Sequence, residues 1–189
     1  MTDRIELISV TPEQTRGYGQ LLGESLRGGD VVALTGPLGA GKTQFVKGIA
    51  TGLRIPADEP IVSPTFVLIR EYVGRLKLYH IDAYRLTGSE DLLALGLDEM
   101  FDETDAVVAI DWADRMSEVV PHNAITVALA DERNDATHAG SSTYGDSLGG
   151  LADQVASAGG SAAATRRILV TIKSIARQTE LAHLFRAQT

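Results

Sequence analysis

Asp30-Val31-Val32-Ala33-Leu34-Thr35-Gly36-Pro37-Leu38-Gly39-Ala40-Gly41-Lys42-Thr43 is the stretch that decides the fold. Val31 to Leu34 is continuously apolar, the pattern of a strand buried on both faces, as in a parallel sheet. Gly36 to Thr43 matches G-x-x-x-x-G-K-[ST], the phosphate-binding P-loop, whose backbone N–H groups turn inward around a polyphosphate. Lys42 to Leu53 then reads as a helix with Phe45, Val46, Ile49 and Ala50 inward, stopped near Gly52 and Pro56. Strand, loop and helix in that order is the context the motif requires, because the helix presents its positive N-terminal end to the same anion. In such a loop Gly36, Leu38, Gly39, Ala40, Gly41, Lys42, Thr43 and Gln44 are the candidate nucleotide-binding residues. Lys42 reaches the β- and γ-phosphates, and the Thr43 hydroxyl goes to Mg²⁺.

Outward from this centre, the rest reads as one α/β domain with a mixed sheet flanked by helices. Arg4 to Val10 alternates as a short strand, and Thr11-Pro12-Glu13-Gln14 starts a helix: Thr11 caps, Pro12 suits the first position, and Gln14 stands where a capping-box partner reaches back. Tyr18, Leu21, Leu22 and Leu26 keep helical spacing to about Arg27, before Gly28-Gly29. Ile61 to Tyr72 and Arg75 to Ile81 form two β-rich stretches joined through Val73-Gly74, an antiparallel hairpin with Pro64 at the first strand's start or edge. Ser89-Glu90-Asp91 opens a helix, Ala106 to Ile110 is a second buried strand, and Ala124 to Ala130 and Arg167 to Ile175 complete the sheet. A short helix from Ile175 to Arg186 follows. Asn134 to Thr165 differs in kind, with six Gly, eight Ala and five Ser in 32 residues. It buries too little to offset its ordering entropy and reads as a disordered insertion in the last hairpin.

Composition narrows the function classes. The chain of 189 residues has no cysteine, which removes thiol nucleophiles, disulfides and cysteine-bound metals. A formal charge of −8 disfavours gripping a nucleic-acid backbone through the bulk surface. No apolar run spans a membrane, and Met1 to Ser9 carries three charges without a signal-like stretch, so a cytoplasmic protein is expected.

A P-loop protein needs an acid at the end of a neighbouring strand, for Mg²⁺ or for the attacking water. Two are available. Asp111 follows Val107-Val108-Ala109-Ile110 in the form of a Walker B strand, and Asp82 ends Leu78-Tyr79-His80-Ile81. Spacing alone lets either hold the metal, with the Walker B form favouring Asp111; either can also simply cap a strand or pair with Arg85 or Arg115. Ser63-Pro64-Thr65 is a hydroxyl pair that can sense a γ-phosphate or be a plain turn. His80 is a candidate to orient Asp82 or a phosphate, and equally a half-buried structural histidine. Trp112 reads as core or as a nucleotide wall, and His122, His138 and His183 as surface.

In order, GPLGAGKT at Gly36 to Thr43, Ser63-Pro64-Thr65-Phe66, His80-Ile81-Asp82-Ala83-Tyr84-Arg85-Leu86 and Ile110-Asp111-Trp112 resemble the signature series of the TsaE family. The resemblance covers roughly Arg4 to Glu132 and the last strand. It implies ATP on the Gly36 to Thr43 loop, Mg²⁺ shared by Thr43 and Asp82, Thr65 near the γ-phosphate, and Lys42 and Asp111 as the catalytic pair. The family's usual acid before the tryptophan is glutamate; here it is Asp111, one methylene shorter. The resemblance further implies an accessory ATPase acting with TsaD and TsaB in threonylcarbamoyl modification of adenosine 37 of tRNA, in contact with tRNA only indirectly. A small-molecule kinase and a nucleotide switch without hydrolysis are the competing readings; the first normally carries an Arg-bearing lid that is not evident here, and the second predicts binding without turnover.

Overall fold

The computed structural model describes residues 3–65, 67–86, 96–131, 165–172 and 185. In chain order these form β1 (Asp3–Ser9), α1 (Pro12–Ser25), β2 (Val31–Thr35), α2 (Lys42–Gly52), β3 (Ile69–Val73), β4 (Lys77–Asp82), α3 (Leu97–Asp102), β5 (Ala106–Asp111), a 3₁₀ turn (Ala113–Met116), β6 (Ile125–Asp131) and β7 (Arg166–Ile172). One sheet collects the strands in the order β1-β7-β6-β2-β5-β4-β3. Its middle is parallel, β6 and β5 flanking β2 and β4 lying beside β5, while β3, β7 and β1 add antiparallel edges. This is the P-loop NTPase-like mixed α/β architecture expected from the strand-loop-helix unit.

The central strand is buried on both faces because both faces are covered. Val32 and Leu34 of β2 join Leu22, Phe45, Val46, Ile49, Val107 and Ala109 in the core beneath α1 and α2. Val31 and Ala33 point the other way, into a second core with Ile81, Val108, Ile110, Leu97 and Met116. Each large side chain fully withdrawn from water here, such as Phe45, Leu22 or Ile49, contributes about 1.5–3 kcal/mol.

α1 is started by Thr11, whose hydroxyl accepts from the Gln14 N–H at 3.1 Å, while the Gln14 side chain reaches back to the Val10 N–H at 2.8 Å. It then packs against α2 with almost no side chain between them. A Cβ on Gly19 would collide with the Phe45 carbonyl, and one on Gly48 with the Arg16 carbonyl; Gly23 and Gly52 repeat the contact one turn on. Backbone against backbone fixes the P-loop helix laterally. The two helices are also tied at their ends by Arg75 from the β3–β4 turn. Its guanidinium donates to the carbonyls of Gly23 (2.6 Å), Glu24 (3.2 Å), Leu26 (2.8 Å) and Gly52 (3.4 Å), placing a cation at two helix C-termini.

Several expected bounds change, among them the start of the second hairpin strand, at Lys77 and not Arg75. The first β-rich stretch does not begin at Ile61: only Ile69–Val73 is strand, because the chain around Pro64 turns, with the Pro64 carbonyl accepting from the Val67 and Leu68 N–H groups. α1 ends at Ser25, two residues before Arg27, where Leu26 becomes extended. The last strand starts at Arg166, one residue early. The helix opening at Ser89, residues 134–164 of the Ala/Gly/Ser-rich insertion and the terminal helix except Phe185 lie outside the described residues. Phe185 itself is buried in the α1/α2 core. No helix among the described residues is long and apolar enough to cross a membrane.

Candidate functional site

The loop between β2 and α2 has the backbone its sequence demands. Gly36 (φ 133°), Gly39 (φ 81°) and Gly41 (φ 104°) all adopt left-handed values, and Gly41 does so at the N-cap of α2, where any side chain would be strained. α2 has no side-chain cap, so the N–H groups of its first turn are left to an anion in front of the loop. Lys42, only 6% exposed, folds its ammonium back over the loop, donating to the carbonyls of Gly36 (2.6 Å) and Pro37 (3.0 Å). It also lies 3.7 Å from the centre of the Trp112 ring. Burial lowers the Lys42 pKa below its ordinary value, against the opposing pull of the Asp111, Asp114 and Asp82 carboxylates.

Asp82 and Asp111 come from adjacent parallel strands and are paired in register, so both carboxylates emerge together at the C-terminal edge of the sheet. Asp82 is wrapped by donors. Its Oδ2 accepts from Ser63 Oγ at 2.6 Å and Thr65 Oγ1 at 2.8 Å, and its Oδ1 from the Tyr84 N–H at 2.9 Å. Burial alone would raise this carboxyl; the Ser63, Tyr84 and Thr65 hydrogen bonds and the nearby His80 outweigh it and hold Asp82 below the ordinary carboxylate value. The hydroxyl pair thus has a definite use: turning at Pro64 is what delivers both oxygens to one carboxylate.

Asp111 is buried in a different way. Its Oδ2 lies 3.2 Å from His80 Nε2, while its Oδ1, like His80 Nδ1, has no hydrogen-bond partner among the described residues. His80 thus makes its hydrogen-bond contact with Asp111 and not with Asp82, and it is fully buried, not half-buried. Trp112, directly after Asp111, takes a left-handed backbone (φ 60°) that is costly for a bulky residue, about 1–3 kcal/mol. That conformation turns the indole back over Lys42. Tyr84 packs on its ring at 5.0 Å between centroids, and the Arg115 guanidinium stacks on Tyr84 while donating to the Tyr84 carbonyl at 2.8 Å.

A cleft of about 490 Å³ joins these parts. Leu38, Gly39, Gly41, Lys42, Thr43, Gln44, Thr65, Asp82 and Asp111 all line it; of the expected nucleotide contacts, Gly36 and Ala40 do not, Ala40 being buried behind the loop. Sequence reasoning missed three of its walls. Arg166 comes from β7 and lies beside Gly41; Pro12 comes from the first turn of α1; Tyr84 supplies both an N–H and a ring. Arg166 is reachable only once β7 is known to run antiparallel to β6, which returns its first residue to the loop end of the sheet.

The family model described as "Threonylcarbamoyl adenosine biosynthesis protein TsaE" matches residues 9–139, more than half of the chain. The chain belongs to the TsaE family. Among relatives, a tRNA threonylcarbamoyladenosine biosynthesis protein TsaE from Treponema pallidum is 43% identical over 65% of this chain and 88% of its own length. The protein of the same name from Bacillus subtilis is 42% identical over 64% of this chain and 74% of its own. A crystal structure of Bacillus subtilis YdiB superposes with a TM-score of 0.69 at 29% identity, covering all of this chain and 99% of that one. The TsaE family match takes in the P-loop, Ser63 to Thr65, His80 to Leu86 and Asp111-Trp112, the segments that meet around the cleft.

Proposed function

We propose that this TsaE-family chain binds ATP with Mg²⁺ in the cleft and hydrolyses it, serving with TsaD and TsaB as an accessory subunit for threonylcarbamoyl modification of adenosine 37 in tRNAs that read ANN codons. The observation that carries the reading is the convergence of Lys42, Asp82 and Asp111 at the mouth of a left-handed glycine loop that opens an uncapped helix. The names of the relatives support the tRNA pathway. An acidic, cysteine-free chain suits protein partners better than direct contact with tRNA.

Each residue has a task in this reading. The N–H groups from Gly39 to Gln44 receive the phosphates, and Lys42 leaves the Gly36 and Pro37 carbonyls to meet the γ-phosphoryl group. Oxygen donors suit Mg²⁺: the Thr43 hydroxyl and the Asp82 carboxylate would hold it, Asp82 being kept ionised by its three donors. The bound ion would neutralise charge on the β- and γ-phosphates. Thr65, already on Asp82, would lie near the γ-phosphate and couple its loop to nucleotide state. Asp111, which lines the cleft, would orient a water for in-line attack.

Phosphate release from Mg·ATP tests this, with the purified chain alone and with TsaD–TsaB added, and Lys42→Ala as the blank. Slow turnover that rises with the partners and vanishes in the blank supports the proposal. ATP binding with no turnover in either condition overturns it in favour of a nucleotide switch.

A further inference from the structure

We infer that His80 is a positioning residue that aims the Asp111 carboxylate, and that histidine occupies this position for that task and not for the stability of the core. The inference rests on the reading of Asp111 as the water-orienting group. In the β4–β5 register Asp82 faces Asp111 and His80 faces Ala109, so the imidazole lies one rung beneath the two carboxylates. It shares its sheet face with Leu78, Val107 and Ala109, all core residues, and is fully buried. An apolar side chain would satisfy such a place. The imidazole instead leaves Nδ1 without a partner among the described residues, a cost that natural cores seldom carry without a reason.

The reason lies at the other nitrogen. Nε2, 3.2 Å from Asp111 Oδ2, fixes one oxygen of a carboxylate whose residue lines the cleft, and with it the plane of the whole group. With Nε2 carrying the proton, His80 donates and Nδ1 is a bare acceptor. The imidazole thereby removes torsional freedom from the Asp111 carboxylate.

The test compares His80→Leu, His80→Gln and both again in an Asp111→Asn background, reading single-turnover rate, Mg·ATP dissociation constant and melting temperature. His80→Leu is expected to slow turnover about tenfold or more with the dissociation constant within about twofold, and to lower the melting temperature only as far as the stranded Asp111 Oδ2 requires, a loss absent in the Asp111→Asn background. His80→Gln, whose amide can donate to Oδ2, recovers the rate to within about threefold. In Asp111→Asn, His80→Leu changes the rate by less than about twofold. An unchanged rate in His80→Leu, a parallel loss of rate, affinity and melting temperature that His80→Gln does not repair, or an undiminished effect in Asp111→Asn would each overturn the inference. Should the wild-type chain bind Mg·ATP but not turn it over, the proposed function fails, and the pair is decided by proton NMR. A slowly exchanging His80 Nε2–H resonance that disappears in folded Asp111→Ala keeps the pairing; its absence from the wild type ends it.

Discussion

The Lys42 ammonium rests 3.7 Å from the centre of the Trp112 ring while donating to the carbonyls of Gly36 and Pro37. A phosphate can recruit this lysine only by drawing it out of that arrangement, which changes what the sole tryptophan of the chain faces. ATP is therefore expected to alter Trp112 fluorescence in a saturable way. In Lys42→Met the response should shrink and the affinity fall about tenfold or more, the worth of a charge-assisted hydrogen bond of about 1.5–3 kcal/mol. A full-sized response with wild-type affinity in Lys42→Met would refute this.

Asp82 supplies a pH signature. A carboxyl held below its unfolded value adds stability that is present above that value and lost as pH falls through the folded one. Wild-type protein should therefore lose stability on acidification through this range, and Asp82→Asn should lose less. Removing the Ser63 and Thr65 donors together, as Ser63→Ala with Thr65→Val, leaves only the Tyr84 N–H and His80 to oppose burial and should raise the Asp82 carboxyl relative to wild type. Carboxyl-carbon NMR titration of the two proteins decides the point.

Arg75 is the stability test of the helix ends. Its single guanidinium serves carbonyls on both α1 and the end of α2, so Arg75→Ala strands several acceptors at once and is expected to cost about 2–3 kcal/mol. Arg75→Lys should recover less than half, since an ammonium cannot spread donors over two helix ends. Denaturant midpoints at constant slope measure both.

Two glycines of α1 should respond in opposite directions. Gly19→Ala drives a methyl into the Phe45 carbonyl and is expected to destabilise by about 3 kcal/mol, the upper range for overpacking. Gly17, with nothing near its would-be Cβ, is an exposed helix position where alanine gains about 0.5–1 kcal/mol. Thermal or chemical denaturation of the pair checks the sign of each.

The sequence made the centre of this molecule legible and left its periphery obscure, for physical reasons. β2, the loop and α2 are specified locally: apolar run, glycine spacing and helical periodicity lie within about two dozen residues. Asp82 and Asp111 could be named because each closes an apolar strand, but their facing each other is a matter of register, and register is set by strands far apart in the chain. The same holds for His80, whose partner is Asp111, and for Arg166. The loop around Pro64 was misread as strand because its valines and isoleucine carry β propensity, while the hydroxyls that satisfy Asp82 act only in three dimensions. Gly19 and Gly23 of α1 lie where another backbone passes.

That close passage has a mechanical consequence. A helix separated from its neighbour by side chains can slide by repacking them, but α2 meets α1 carbonyl to Cα and has nothing to repack. If ATP binds as proposed, the phosphate loop and the helix behind it are expected to form the stationary jaw of the cleft. Displacement has to be taken up opposite, by the Ser63–Thr65 turn and the Trp112–Met116 segment, so those are the surfaces on which a partner would feel the nucleotide come and go.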